Sequence, residues 1–112
     1  MVDFEITKKQ KILEVNNDMA HNYYYLIYGK LLNTEKTRCR KFKMVIWCDL
    51  FDVQEYFEKD FATNDEIKQY ILECAIAQVE NVKDYNDTES LREFYDFCNE
   101  SINSYNQLIE KM

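Results

Sequence analysis

The chain has 112 residues, 46% of them apolar, with a net charge of −7, one Gly, no Pro and four Cys. That length sets one domain, residues 1–112, able to bury roughly two-thirds of its unfolded surface without metal or disulfide staples. No apolar run approaches the roughly 18 residues that a membrane span needs. The start, Met1-Val2-Asp3-Phe4-Glu5, lacks the basic and apolar regions of a signal peptide, so a cytoplasmic protein is expected. Cys39, Cys48, Cys74 and Cys98 are widely spaced, with no Cys-x-x-Cys pair. They read as reduced, structural thiols, three of them on apolar faces.

In chain order, Val2, Phe4 and Ile6 alternate with Asp3, Glu5 and Thr7. A polar patch, Lys8 to Lys11, then leads into Ile12-Leu13-Glu14-Val15. Residues 2–15 are predicted as one long or broken strand, with a short helix over 7–15 as the rival. Asn16-Asn17-Asp18 is a turn signal. The runs 23–33 and 37–49 follow, rich in aromatic and β-branched residues that suit a pleated, half-buried surface. The short polar break Asn33 to Thr37 makes them an antiparallel hairpin. In the second run Phe42, Met44, Ile46, Cys48 and Leu50 alternate with Lys41, Lys43 and Asp49. That alternation assigns the even residues to the core. The odd face is expected to present Tyr23, Tyr25, Ile27, Val45 and Trp47 beside Lys41 and Lys43, as a patch that is either an interface or covered. The sheet is a three-stranded meander with the tyrosine-rich strand in the middle.

After Asp49 the apolar period changes from 2 to 3.6. Leu50, Val53, Tyr56/Phe57 and Phe61 predict a short helix. Thr63-Asn64-Asp65-Glu66 has the form of a capping box. It opens a helix over about 64–82, with Ile67, Ile71, Cys74, Ala75 and Val82 on its apolar face. Asn86 or Asp87 can cap the last helix. Its stripe runs Leu91, Tyr95, Cys98, Ile102, Tyr105, Ile109 and Met112 and is expected to pack on the sheet or the preceding helix. The fold class is therefore α+β: a three-stranded antiparallel meander over about 2–49, then three helices over about 50–112 packed mainly on one face.

The sequence contains little that marks chemistry. One glycine, Gly29, excludes GxGxxG, GxxxxGK[ST] and GxSxG elements. His21 stands alone in a polar loop and is expected to be solvated. No cysteine or histidine spacing suggests a metal site. No cofactor, metal or enzymatic activity is expected.

Charge is more informative. Residues 1–50 carry nine Lys/Arg against six Asp/Glu, and residues 51–112 carry five against fifteen, so the two parts differ in sign, +3 and −10. On the last helix Glu89, Glu93, Asp96 and Glu100 share a face opposite the apolar stripe. Glu66, Glu73 and Glu80 form a second row on the preceding helix. These rows fit a small acidic, non-enzymatic protein inhibitor. It would act as a nucleic-acid mimic against a basic, nucleic-acid-handling protein of a host or defence system. Phage anti-defence proteins, anti-CRISPR-like inhibitors and toxin-immunity proteins are the classes that share this size and charge. One alternative is a nucleic-acid-binding accessory protein using Arg38, Arg40, Lys41, Lys43 and Trp47 on a basic aromatic sheet. A net charge of −7 opposes that. Another alternative is a homodimer joined through the tyrosine-rich sheet face.

Overall fold

The computed structural model describes residues 1–112. Strands β1 (Asp3–Asn16), β2 (His21–Leu32) and β3 (Cys39–Asp49) form an antiparallel sheet in the order β1-β2-β3. Helices α1 (Leu50–Tyr56), α2 (Asn64–Val79) and α3 (Thr88–Glu110) follow. The fold is α+β, as the periodicity change at Asp49 predicts. Residues 7–15 are strand throughout, so the helical rival for that stretch is ruled out. A pair of register shifts, at Ile6/Lys8 and Lys11/Leu13, breaks the alternation there. Each inserts one residue and reverses the parity of the strand beyond it.

With Pro absent and Gly nearly so, polar side chains build the turns. Asn17 Oδ1 accepts hydrogen bonds from the N–H groups of Met19 and Ala20 between β1 and β2. Asn33 Oδ1 accepts from the N–H groups of Thr37 and Arg38 between β2 and β3, where Lys36 takes a left-handed φ of 59°. Asp49, Thr63 and Asp87 cap the three helices, and Thr63 and Glu66 complete the capping box. These side chains satisfy backbone N–H groups that would otherwise be orphaned.

The register pairs odd residues of β2 with even residues of β3, such as Tyr23 with Cys48, Tyr25 with Ile46 and Ile27 with Met44. The even residues of β3 are core, as expected. Tyr23, Tyr25 and Ile27 join them there, contrary to the outer position expected for these three. The hairpin loop sets this parity, and strand alternation alone does not reveal it. Gly29 lies opposite Phe42, whose ring sits over the glycine so closely that a Cβ would overlap it. The only glycine is thus a packing requirement of the Phe42 ring.

The core face carries the buried residues Val53 of α1 and Ile67, Ile71, Ala75 and Val79 of α2. Helix α3 runs along the outer edge of β3 and also reaches the core, where Phe94 meets Phe42 edge to face at 5.1 Å. Its buried residues are Ser90, Phe94 and Cys98, while Ile109 and Met112 at the end of the expected stripe are exposed. A row spaced at 3.5 residues drifts around a straight helix of period 3.6 and leaves the contact after a few turns.

Candidate functional site

Two edges bound the sheet, and they differ. The β1 edge is open and carries exposed Lys8, Lys9 and Lys11, charges that discourage edge-to-edge pairing. The β3 edge is covered by α3. Tyr95 donates its hydroxyl to the Lys41 carbonyl at 2.8 Å, and Ser101 Oγ accepts from the Val45 N–H at 3.0 Å. These two bonds fix α3 alongside the strand and set the direction of its remaining faces.

The acidic row results from that placement. Glu89, Glu93, Asp96 and Glu100 are all exposed. The protein has four ion pairs, Lys11–Glu14, His21–Glu14, Lys30–Glu5 and Lys59–Glu66, so none involves these carboxylates. The second row does not form a comparable surface. Glu66 is half-buried in the capping box, and Lys59 beside it, with Thr63, holds its carboxyl below the usual range. Glu73 is half-buried, accepts from Gln69, and raises the Tyr56 phenol. Glu80 is exposed at the C-cap of α2.

The predicted basic cluster is divided. Arg38 is exposed in the hairpin loop. Arg40 donates to the Tyr85 carbonyl at 3.2 Å and lies over the Tyr85 ring at 4.5 Å. Lys41, Lys43 and Trp47 do share the outer sheet face. The register adds Tyr24, Leu26, Tyr28 and Lys30 to that face, opposite Trp47, Val45, Lys43 and Lys41. Lys8 reaches over the Tyr28 ring at 5.7 Å. No helix covers most of this surface.

Where the outer face meets the C-terminal half of α3, a groove of about 550 Å³ opens. Tyr24, Val45 and Trp47 form its sheet wall, and Phe97, Tyr105 and Leu108 its helix wall. Glu100 and Ser104 stand on the helix side, and Cys74 and Gln78 of α2 close it. Tyr24 stacks on Trp47 with ring centroids 5.9 Å apart and lies 6.1 Å from Tyr105. Sequence reading places Trp47 near the surface but does not find this groove. Its lining comes from four elements, the β2–β3 hairpin and the helices α2 and α3, which lie apart in the chain.

His21 is not the solvated loop residue expected. It opens β2, and its Nε2 lies 3.0 Å from Glu14 and 2.8 Å from the Tyr23 hydroxyl. The β1–β2 register places Glu14 opposite Tyr23, which hides the partner from a reading of near neighbours. His21 and then Lys11 lower the Glu14 carboxyl, while burial raises the Tyr23 phenol. Burial also pushes the Cys48 and Cys98 thiols up to about 12. An activated nucleophile needs a shift in the opposite direction.

The four cysteines are free: Cys48 and Cys98 buried, Cys74 half-buried and Cys39 exposed. No helix is long and apolar enough to cross a membrane. In comparisons with known proteins, the chain matches no family model, no curated protein and no solved structure.

Proposed function

We propose that this protein is a small, non-enzymatic inhibitor that acts in the cytoplasm and binds a basic, nucleic-acid-handling protein through α3. The observation that carries this reading is the row Glu89, Glu93, Asp96 and Glu100: four exposed carboxylates along one side of a helix, without an ion pair among them. Neighbours three and four residues apart on a helix lie about 5–6 Å apart. That spacing lets one basic groove accept either the helix or a run of phosphates. Long-range charge would make the encounter fast and sensitive to salt.

A second reading has its own support. Lys41, Lys43 and Trp47 share an open sheet face with Tyr24 and Tyr28, and a face of rings and lysines suits single-stranded nucleic acid.

A gel-shift experiment separates the two. The inhibitor reading expects no shift of single- or double-stranded oligonucleotides by the protein alone. It expects release of an oligonucleotide from a basic nucleic-acid-binding partner. The double change Glu93→Lys with Asp96→Lys should abolish that release without altering the fold. A direct shift that disappears in the Lys41→Ala, Lys43→Ala variant would overturn the inhibitor reading in favour of the second.

A further inference from the structure

We infer that the groove between Trp47 and α3 is the pocket that receives an arginine side chain, flanked by apolar residues, from the bound protein partner. This rests on the acidic-helix reading and supplies the anchor that a row of surface charges lacks. Exposed carboxylates alone give encounter rate and little affinity. Tight interfaces concentrate their energy in a desolvated pocket, with Trp, Tyr and Arg over-represented there.

The composition of the groove selects the guest. Its volume of about 550 Å³ lies within the range of ligand sites. Of twelve lining residues, eight are hydrophobic and Glu100 is the only charged one, so no cation lines it. The nearest basic residue along β3 is Lys43, two positions before Val45 and outside the groove. Tyr24, Trp47 and Tyr105 supply ring surfaces, and Trp47, the only Trp, is 56% exposed. A guanidinium is planar and weakly hydrated; it stacks on rings and pairs in plane with a carboxylate. The stem of the arginine and its apolar neighbours would lie along Val45 and Leu108. Glu100 is also the last of the four acids in the row on α3. A basic partner surface laid along the row from Glu89 therefore meets the groove at its end.

The test uses the intact protein and two blocked pentapeptides, alanine-leucine-arginine-leucine-alanine and its citrulline counterpart, which keeps the shape and loses the charge. Trp47 fluorescence reports binding. The arginine peptide should give a saturable change, and the citrulline peptide should bind about tenfold more weakly, as should the arginine peptide to a Glu100→Gln variant. Tyr105→Leu should also weaken it, with its melting transition checked to confirm folding. Equal binding of the two peptides, or unchanged binding to the Glu100→Gln variant, would overturn the inference. So would a Trp47-dependent dimer in sedimentation, or quenching of Trp47 by a single-stranded oligonucleotide, because each names a different occupant. The Glu93→Lys, Asp96→Lys variant keeps the two proposals apart. If it loses the protein partner and the wild-type protein ignores both peptides, the groove inference fails alone. If the arginine peptide binds while no basic partner is displaced from nucleic acid, the inhibitor reading fails alone.

Discussion

The two faces of the β2–β3 ribbon share their strands and their backbone hydrogen bonds, yet they ended differently. On one face Tyr23, Tyr25, Ile27 and Leu31 lie beside Phe42, Met44, Ile46 and Cys48, all buried. On the other, Tyr24, Leu26 and Tyr28 are half-buried, Lys41, Lys43 and Trp47 are exposed, and Val45, which keeps 6% of its surface at the groove, is the only buried β3 residue. Aromatic and aliphatic content is high on both, so strand propensity did not decide between them. Lysines on β3 kept one face wet, and the helices covered the other. The apolar remainder of the wet face is concentrated at its α3 end, where it forms the groove.

The comparison is broken most directly by truncation on the dry face. Phe42→Ala or Ile46→Ala should cost about 2–5 kcal/mol, whereas Lys41→Ala or Lys43→Ala should stay within about 0.5 kcal/mol. Urea denaturation of the four variants checks this, and the reverse order would mean the faces are misassigned. Gly29→Ala introduces a Cβ under the Phe42 ring, with the Glu5 carbonyl also in contact. It should destabilise by about 1–3 kcal/mol through overpacking. A paired Phe42→Leu change, measured in a double-mutant cycle, should recover part of that loss.

Ser101→Ala probes the edge between the faces. It removes the acceptor for the Val45 N–H and should cost about 1 kcal/mol. It should also speed hydrogen exchange at Val45 more than at Met44, which bonds within the ribbon.

The smallest effect near neutral pH comes from the thiols. Burial raises Cys48 and Cys98 to about 12, above the ordinary value near 9. The folded state therefore retains protons that the unfolded state releases, and the stability they contribute is complete below about pH 9. It declines as pH rises from there toward 12, with no effect at pH 7. Melting temperatures at pH 7, 9 and 10.5 should show this fall. Thiol labelling of the native protein should proceed at Cys39 first, then Cys74, with Cys48 and Cys98 reacting only on unfolding.

Local features were legible in the sequence because the residues that cause them lie within a few positions of one another. The three strands and three helices, the even-residue core of β3, the Thr63–Glu66 capping box and the exposed acids of α3 all follow from alternation, helical period and cap chemistry. Tertiary structure decided whatever depends on two distant segments meeting. The parity of the hairpin loop moved Tyr23, Tyr25 and Ile27 into the core. The β1–β2 register brought Glu14 to His21. Attachment of Tyr95 and Ser101 to the β3 edge turned Tyr105 toward Tyr24 and formed the groove beside Trp47. A period of 2 or 3.6 shows which residues of one element share a face, whereas the register and docking that set two faces against each other arise only when the chain closes on itself.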